Sequence, residues 1–122
     1  MARDHRKLQA FELADALALA VYRTTTDFPK AEMYGLTSQM RRAAVSAAAN
    51  IVEGAARSGE RDYVKFLNVA LSSLREVGYY ISFASRLGYL DAEAAQQLQA
   101  LYDCAAGATH SLSRSLQARF EE

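Results

Sequence analysis

Between Leu36 and Gly59 the chain reads LTSQMRRAAVSAAANIVEGAARSG. As a helix, this run places Leu36, Met40, Ala43, Ala47, Ile51 and Ala55 on one face, because residues three and four apart lie above one another. The stripe is mostly alanine, and small side chains let helix axes approach closely. The run is therefore expected at the centre of a helical bundle rather than on its rim. Ser46 and Asn50 interrupt it, and Glu53 stands beside Gly54 near its end. A polar group on so crowded a helix needs a partner or water.

The rest of the chain fits that centre. With 122 residues, half of them hydrophobic, and one proline, Pro29, it is long enough for one domain with a real core and few helix breaks. A first helix is predicted from about Lys7 to Thr26, closed by Asp27-Phe28-Pro29. Leu13, Leu17 and Val21 form one stripe on it, Phe11, Ala18 and Tyr22 a second, and Glu12, Asp15 and Arg23 take the wet side. His5 falls in a tail before it. Pro29 to Gly35 reads as a connector with Lys30 and Glu32 exposed. The central helix ends at Ser58-Gly59, and one of these two begins a third, where Glu60 and Asp62 suit the positive end of the helix dipole. Gly88 is expected at that helix's C-terminus and Asp91 at the N-cap of a fourth. The fourth carries Leu98, Leu101, Tyr102, Ala105, Thr109, Leu112, Leu116 and Phe120, and frays at Glu121-Glu122. The reading is all-α: an antiparallel up-and-down four-helix bundle spanning 1–122 as one domain.

The third helix, about Glu60 to Leu87, has more apolar surface than one core can use. Tyr63, Phe66, Leu67, Ala70, Leu71, Leu74, Val77 and Ile81 form the core stripe. Val69, Tyr79, Tyr80, Phe83 and Leu87 fall on the other side at about 100° per residue. Monomers rarely leave such patches uncovered, so these five are the predicted interface of a homo-oligomer. The competing reading makes Tyr79 and Tyr80 amphipathic surface residues with wet hydroxyls.

Charge and chemistry narrow the function classes. Fourteen basic residues balance fourteen acidic ones, so nothing attracts a polyanion globally. Arg41, Arg57, Arg61 and Lys65 nonetheless cluster around the second helix and the turn after it, diluted by Glu53, Glu60 and Asp62. They are the candidate phosphate contacts, against a reading as a salt-bridged, solvated face. Arg42, Ser46, Asn50, Glu53 and Glu76 are read as a structural polar network, with Arg42 or Arg75 available to a carboxylate. An active-site reading would make Glu53 a base and Asn50 a polariser, but no second catalytic group accompanies them. Neither His5 nor His110 has a glutamate three residues before it, as a di-iron bundle requires, so no metal is expected. Cys104 and His110 are six apart and point to different sides of one helix, and Cys104 is read as a buried small hydrophobe. Gly54 to Gly59 has phosphate-loop spacing, but Glu60 stands where lysine is required. No catalytic residue and no cofactor are expected. A lone cysteine, no signal-peptide pattern around Arg3, Asp4, Arg6 and Lys7, and no apolar run long enough for a membrane make a cytoplasmic protein the expectation.

The order S-Q-M-R-R-A-A-V-S, then A-N-I-V-E-G, then R-S before another long helix, resembles the small four-helix-bundle family first noticed in intervening sequences of bacterial 23S ribosomal RNA genes. Its signature runs roughly S-Q-L-R-R-A-A-x-S-I-P-A-N-I-A-E-G. Ser38, Gln39, Arg41, Arg42, Ala43, Ala44, Ser46, Ala49, Asn50, Ile51, Glu53 and Gly54 match it, and the likeness extends from Phe11 to Leu90. Ala47-Ala48 replace the usual Ile-Pro, which leaves the helix straighter and keeps a backbone donor. The fold is also similar to that of the accessory variability determinant protein of diversity-generating retroelements, a basic homopentamer that binds nucleic acid and a reverse transcriptase. The resemblance implies a pentameric, non-enzymatic scaffold for nucleic acid, RNA above all. The alternative is a protein-interaction adaptor that holds a partner protein and touches no nucleic acid.

Overall fold

The structure, a computed structural model, describes residues 5–120, with side chains from residue 7 onward. Arg3, Asp4 and the expected fraying at Glu121-Glu122 lie outside the described residues, as does the side chain of Arg6. Four helices follow in order: α1 (His5–Thr25), α2 (Leu36–Ala55), α3 (Glu60–Arg86) and α4 (Ala92–Phe120), with a 3-10 turn (Lys30–Glu32) between the first two. No strand occurs among the described residues. His5, expected in a tail, instead opens α1.

The helices pack in a ring, α1 on α2, α2 on α3, α3 on α4 and α4 on α1, with the backbones of the two diagonal pairs held further apart. Cross-links set their directions. Tyr80, late in α3, donates to Gln39 Oε1, early in α2, at 2.7 Å. Arg119, at the end of α4, pairs with Glu60, at the start of α3, at 2.9 Å. Neighbours are therefore antiparallel, as short links between long helices require.

Leu17, Val21, Met40, Leu74, Ile81 and Leu98 fill the half of the core nearer the α1–α2 connector. Ala14, Ile51, Tyr63, Leu67, Leu112 and Leu116 fill the other half. Between them Ala43, Ala44, Ala47 and Ala48 are all buried, so α2 does occupy the crowded position its alanines imply. Helix α2 comes close to α3 at Gly54, where an added Cβ would lie 2.8 Å from both Phe66 Cβ and Tyr63 Cδ1. That contact also ends the predicted stripe. Gly54 is buried and Ala55 exposed, because α2 stops at Ala55, short of the predicted Ser58-Gly59, and the chain turns away toward α3. Tyr22 is 45% exposed rather than part of a second α1 stripe.

The helix ends follow local chemistry. Past α3, Gly88 takes φ +79°, open to glycine at no steric cost. Its amide then reaches Ser85 O and that of Tyr89 reaches Ala84 O, both at 3.0 Å, which satisfies the last carbonyls. Asp91 Oδ1 accepts from the Ala94 amide at 2.8 Å, the N-cap its position predicts. At α2 the cap comes from upstream: Glu32 Oε1 accepts from the Leu36 amide at 3.1 Å. Glu32 is thus half-buried and engaged, not exposed as its place in a connector suggests.

Candidate functional site

Helical spacing brings Ser46 and Asn50 to the side of α2 that faces α3. There the hydroxyls of Ser46 and Ser73 lie 3.0 Å apart, and Asn50 Nδ2 donates to Ser46 O at 2.8 Å and to Ser46 Oγ at 3.2 Å. Ser73, absent from the predicted network, completes it. The charged residues assigned to the same network stand outside it. Glu53 pairs with Arg57, one turn later on the surface. Arg42, Arg75 and Glu76 are exposed, with no ion pair or hydrogen bond among the described residues. Glu53 and Asn50 share no hydrogen bond among the described residues.

The four candidate phosphate contacts fall into two groups. Arg57, Arg61 and Lys65 gather at the α2–α3 turn, each with an intramolecular neighbour. Arg57 lies over the Phe66 ring at 4.7 Å beside Glu53, and Arg61 lies over Phe120 at 4.5 Å. Lys65 is 3.8 Å from Asp62, with its side chain 78% exposed. Arg41 sits about 21 Å back from the end of α2, at 1.5 Å per residue. Its Nε donates to Thr25 Oγ1 at 2.9 Å, its Nη2 donates to Tyr22 O at 3.2 Å, and its guanidinium covers the Tyr22 ring at 4.6 Å.

Arg41 and Arg42 share an open hollow of about 410 Å³ between α1, the connector and α2. Tyr22 and Val45 form its sides, Met33 and Tyr34 come from the connector, and Thr37 and Ser38 come from the first turn of α2. No carboxylate lines it. A second groove, between α2 and α3, shares Tyr34, Ser38 and Arg42 but includes Glu76. Tyr34 is 93% exposed. Sequence reasoning passed over Tyr34 and Met33. A tyrosine in a connector shortly before an Arg-Arg pair was the available signal.

On α3, Tyr79, Tyr80 and Phe83 form one cluster, with ring centroids 6.0 Å apart for Tyr79 and Tyr80 and 5.9 Å for Tyr79 and Phe83. Arg86 lies over the Phe83 ring at 5.5 Å, and Leu87 is exposed one turn beyond. Val69 is also exposed but lies about 15 Å earlier along the helix, past Ser72 and Glu76. Burial first, then the charge of Glu76 and the neighbouring Tyr79, raises the Tyr80 phenol above its ordinary value.

Cys104 is exposed, not buried as a small hydrophobe, because α4 turns Ala105 rather than Cys104 to the core. No group of three metal-ligating side chains occurs among the described residues. No helix among them is long and apolar enough to cross a membrane.

Fold and surface together define a class: an all-α four-helix bundle with a polar seam between α2 and α3 and an arginine- and tyrosine-lined hollow beside it. A profile of the 23S rRNA-intervening sequence protein family matches residues 6–110, and the chain belongs to that family. Its fold is similar to the crystal structure of a protein of unknown function from the S23 ribosomal protein family of Bacteroides thetaiotaomicron. The TM-score is 0.82 at 17% identity, covering 89% of this chain and 98% of that one. No curated protein matches the sequence.

Proposed function

We propose that the chain is a non-enzymatic homo-oligomeric scaffold, a ring of five bundles working in the cytoplasm, that binds nucleic acid through its phosphates, RNA above all. The observation that carries this reading is the exposed guanidinium of Arg42, which makes no ion pair among the described residues and borders a hollow that no carboxylate lines. A cation left unpaired on a chain of zero net charge is available to an anion from outside. Arg57, Arg61 and Lys65 add a second basic edge. The ion pairs of Arg57 and Lys65 are solvent-exposed and worth about 0–1 kcal/mol, so phosphate oxygens can replace their carboxylates at small cost. Repeated around a ring, two modest patches become multivalent toward a long polyanion.

A second reading, a protein-interaction adaptor, is favoured by one feature. The exposed aromatics Tyr34 and Tyr79 stand close to arginines, the residue types that anchor protein interfaces.

The deciding experiment is binding of a labelled structured RNA across a salt series, on protein whose oligomeric mass is measured in the same buffer. Micromolar or tighter binding that weakens log-linearly with salt is expected. Arg42→Ala, and Arg57→Ala with Arg61→Ala, should each weaken it and flatten the salt slope by about one for every phosphate no longer neutralised. No binding at low salt by an intact oligomer would leave the adaptor.

A further inference from the structure

We infer that the α1–α2 hollow is a site for an unpaired nucleotide of single-stranded RNA, its base stacked on Tyr34 and its phosphate held by Arg42 and the first turn of α2. This rests on the nucleic-acid reading above and goes further, by placing one nucleotide and selecting single strands over duplex.

Four observations converge on the phosphate. α2 is a 20-residue helix whose first in-line hydrogen bond runs from the Gln39 amide to Gly35 O. Glu32 occupies only the Leu36 amide, which leaves those of Thr37 and Ser38 as the positive end of the helix. Thr37 is only 5% exposed, lines the hollow, and its hydroxyl has no hydrogen-bond partner among the described residues. That hydroxyl keeps access to solvent, unlike the sealed Oγ1 of Thr109, so an anion in the hollow can accept its proton. Arg42 stands at the same rim with its guanidinium in no ion pair among the described residues; Glu76 lines the neighbouring groove but does not pair with it.

Tyr34 decides what kind of phosphate compound fits. At 93% exposure its ring is covered by almost nothing in the bundle. The connector that carries it is nevertheless fixed, since Glu32 bonds both Leu36 and Tyr89. A held, bare aromatic ring beside a cation is what stacks an unpaired base and its phosphate. A duplex keeps its bases stacked internally and would meet only the arginine.

The test uses the full chain, a single-stranded oligouridylate carrying 4-thiouridine, and a duplex of equal length. Tyr34→Ala should weaken single-strand binding roughly tenfold and leave duplex binding within about twofold. Tyr34→Phe should restore it, and photo-crosslinking should place the adduct on the peptide that contains Tyr34. Tyr34 makes so little contact that the alanine variant should fold and assemble normally, which mass and circular dichroism check. Equal loss of duplex and single-strand binding would overturn the stacking role. An adduct confined to the Arg57–Lys65 segment, with Tyr34→Ala without effect, would overturn the hollow while the nucleic-acid reading stood. No RNA binding under any condition would overturn both. Loss of assembly in Tyr34→Ala would assign the ring to a protein contact and sink the proposal.

Discussion

The hydroxyl of Tyr89 donates a 2.9 Å hydrogen bond to Oε2 of Glu32, which joins the link after α3 to the connector before α2. The other carboxylate oxygen caps α2 at the Leu36 amide, so one side chain serves two junctions. Phe28 packs against the Tyr89 ring at 5.4 Å and closes the same corner. The connector that presents Met33 and Tyr34 is thereby anchored on both sides.

That corner should titrate. The hydrogen bond to Glu32, then burial and the Glu32 charge, raises Tyr89 above its ordinary value of 10.0. The protonated phenol is the form that folding favours. Its contribution is complete below about pH 10 and is lost as pH climbs through the raised folded-state value. In urea denaturation, the advantage of the wild type over Tyr89→Phe should hold steady from about pH 7 to 9 and shrink above about pH 10. An advantage that grew with alkalinity would contradict this.

Gly54 and Gly78 should respond differently to alanine. At Gly54 the new Cβ meets Phe66 Cβ at 2.8 Å, an atom fixed to the α3 backbone. Overpacking of about 1–3 kcal/mol should outweigh a helix-propensity gain of about 1 kcal/mol. At Gly78 the nearest atom is Tyr102 Cζ at 2.7 Å, the far end of a half-buried side chain that can swing. Urea midpoints should show a clear loss for Gly54→Ala and a change within about 1 kcal/mol for Gly78→Ala.

Two polar side chains make opposite predictions. Thr109 is fully buried and its Oγ1 has no hydrogen-bond partner among the described residues, so Thr109→Val should stabilise by about 1 kcal/mol. Asn50→Ala removes the donor to Ser46 and should destabilise by about 1 kcal/mol. Thermal midpoints should move up and down by about 4 °C. An unchanged midpoint and mass for Asn50→Ala would count against the seam.

The α3 aromatic cluster is the proposed assembly face. Tyr79→Glu with Phe83→Glu should reduce the native mass to that of one chain with the helix content intact. Val69→Glu, about 15 Å away along the helix, separates the two halves of that face. If it alone also dissociates the oligomer, the interface runs the length of α3. A mass unaffected by all three substitutions would place the interface elsewhere.

Most of the bundle was legible in the residues. The alanines of α2, the core stripe of α3 and the Asp91 cap obey local rules, because spacing and side-chain chemistry settle them without reference to neighbours. Gly88 belongs with them, since only glycine adopts its backbone angle freely. Cys104 and Glu32 did not follow those rules. A shift of one residue along α4 moves a side chain from core to solvent, and the neighbours of a connector carboxylate come from distant segments.

Arg41 and Arg42 mark the boundary most clearly. By itself the sequence determined that two adjacent guanidiniums project from the central helix about 100° apart, in a four-helix bundle. Which of them would be occupied was beyond it. The end of α1 lies beside Arg41, where Thr25 and the Tyr22 carbonyl accept its protons, and no described residue does the same for Arg42. That choice depends on partners sixteen and nineteen residues away in the chain, and helix packing alone brings them within hydrogen-bonding distance.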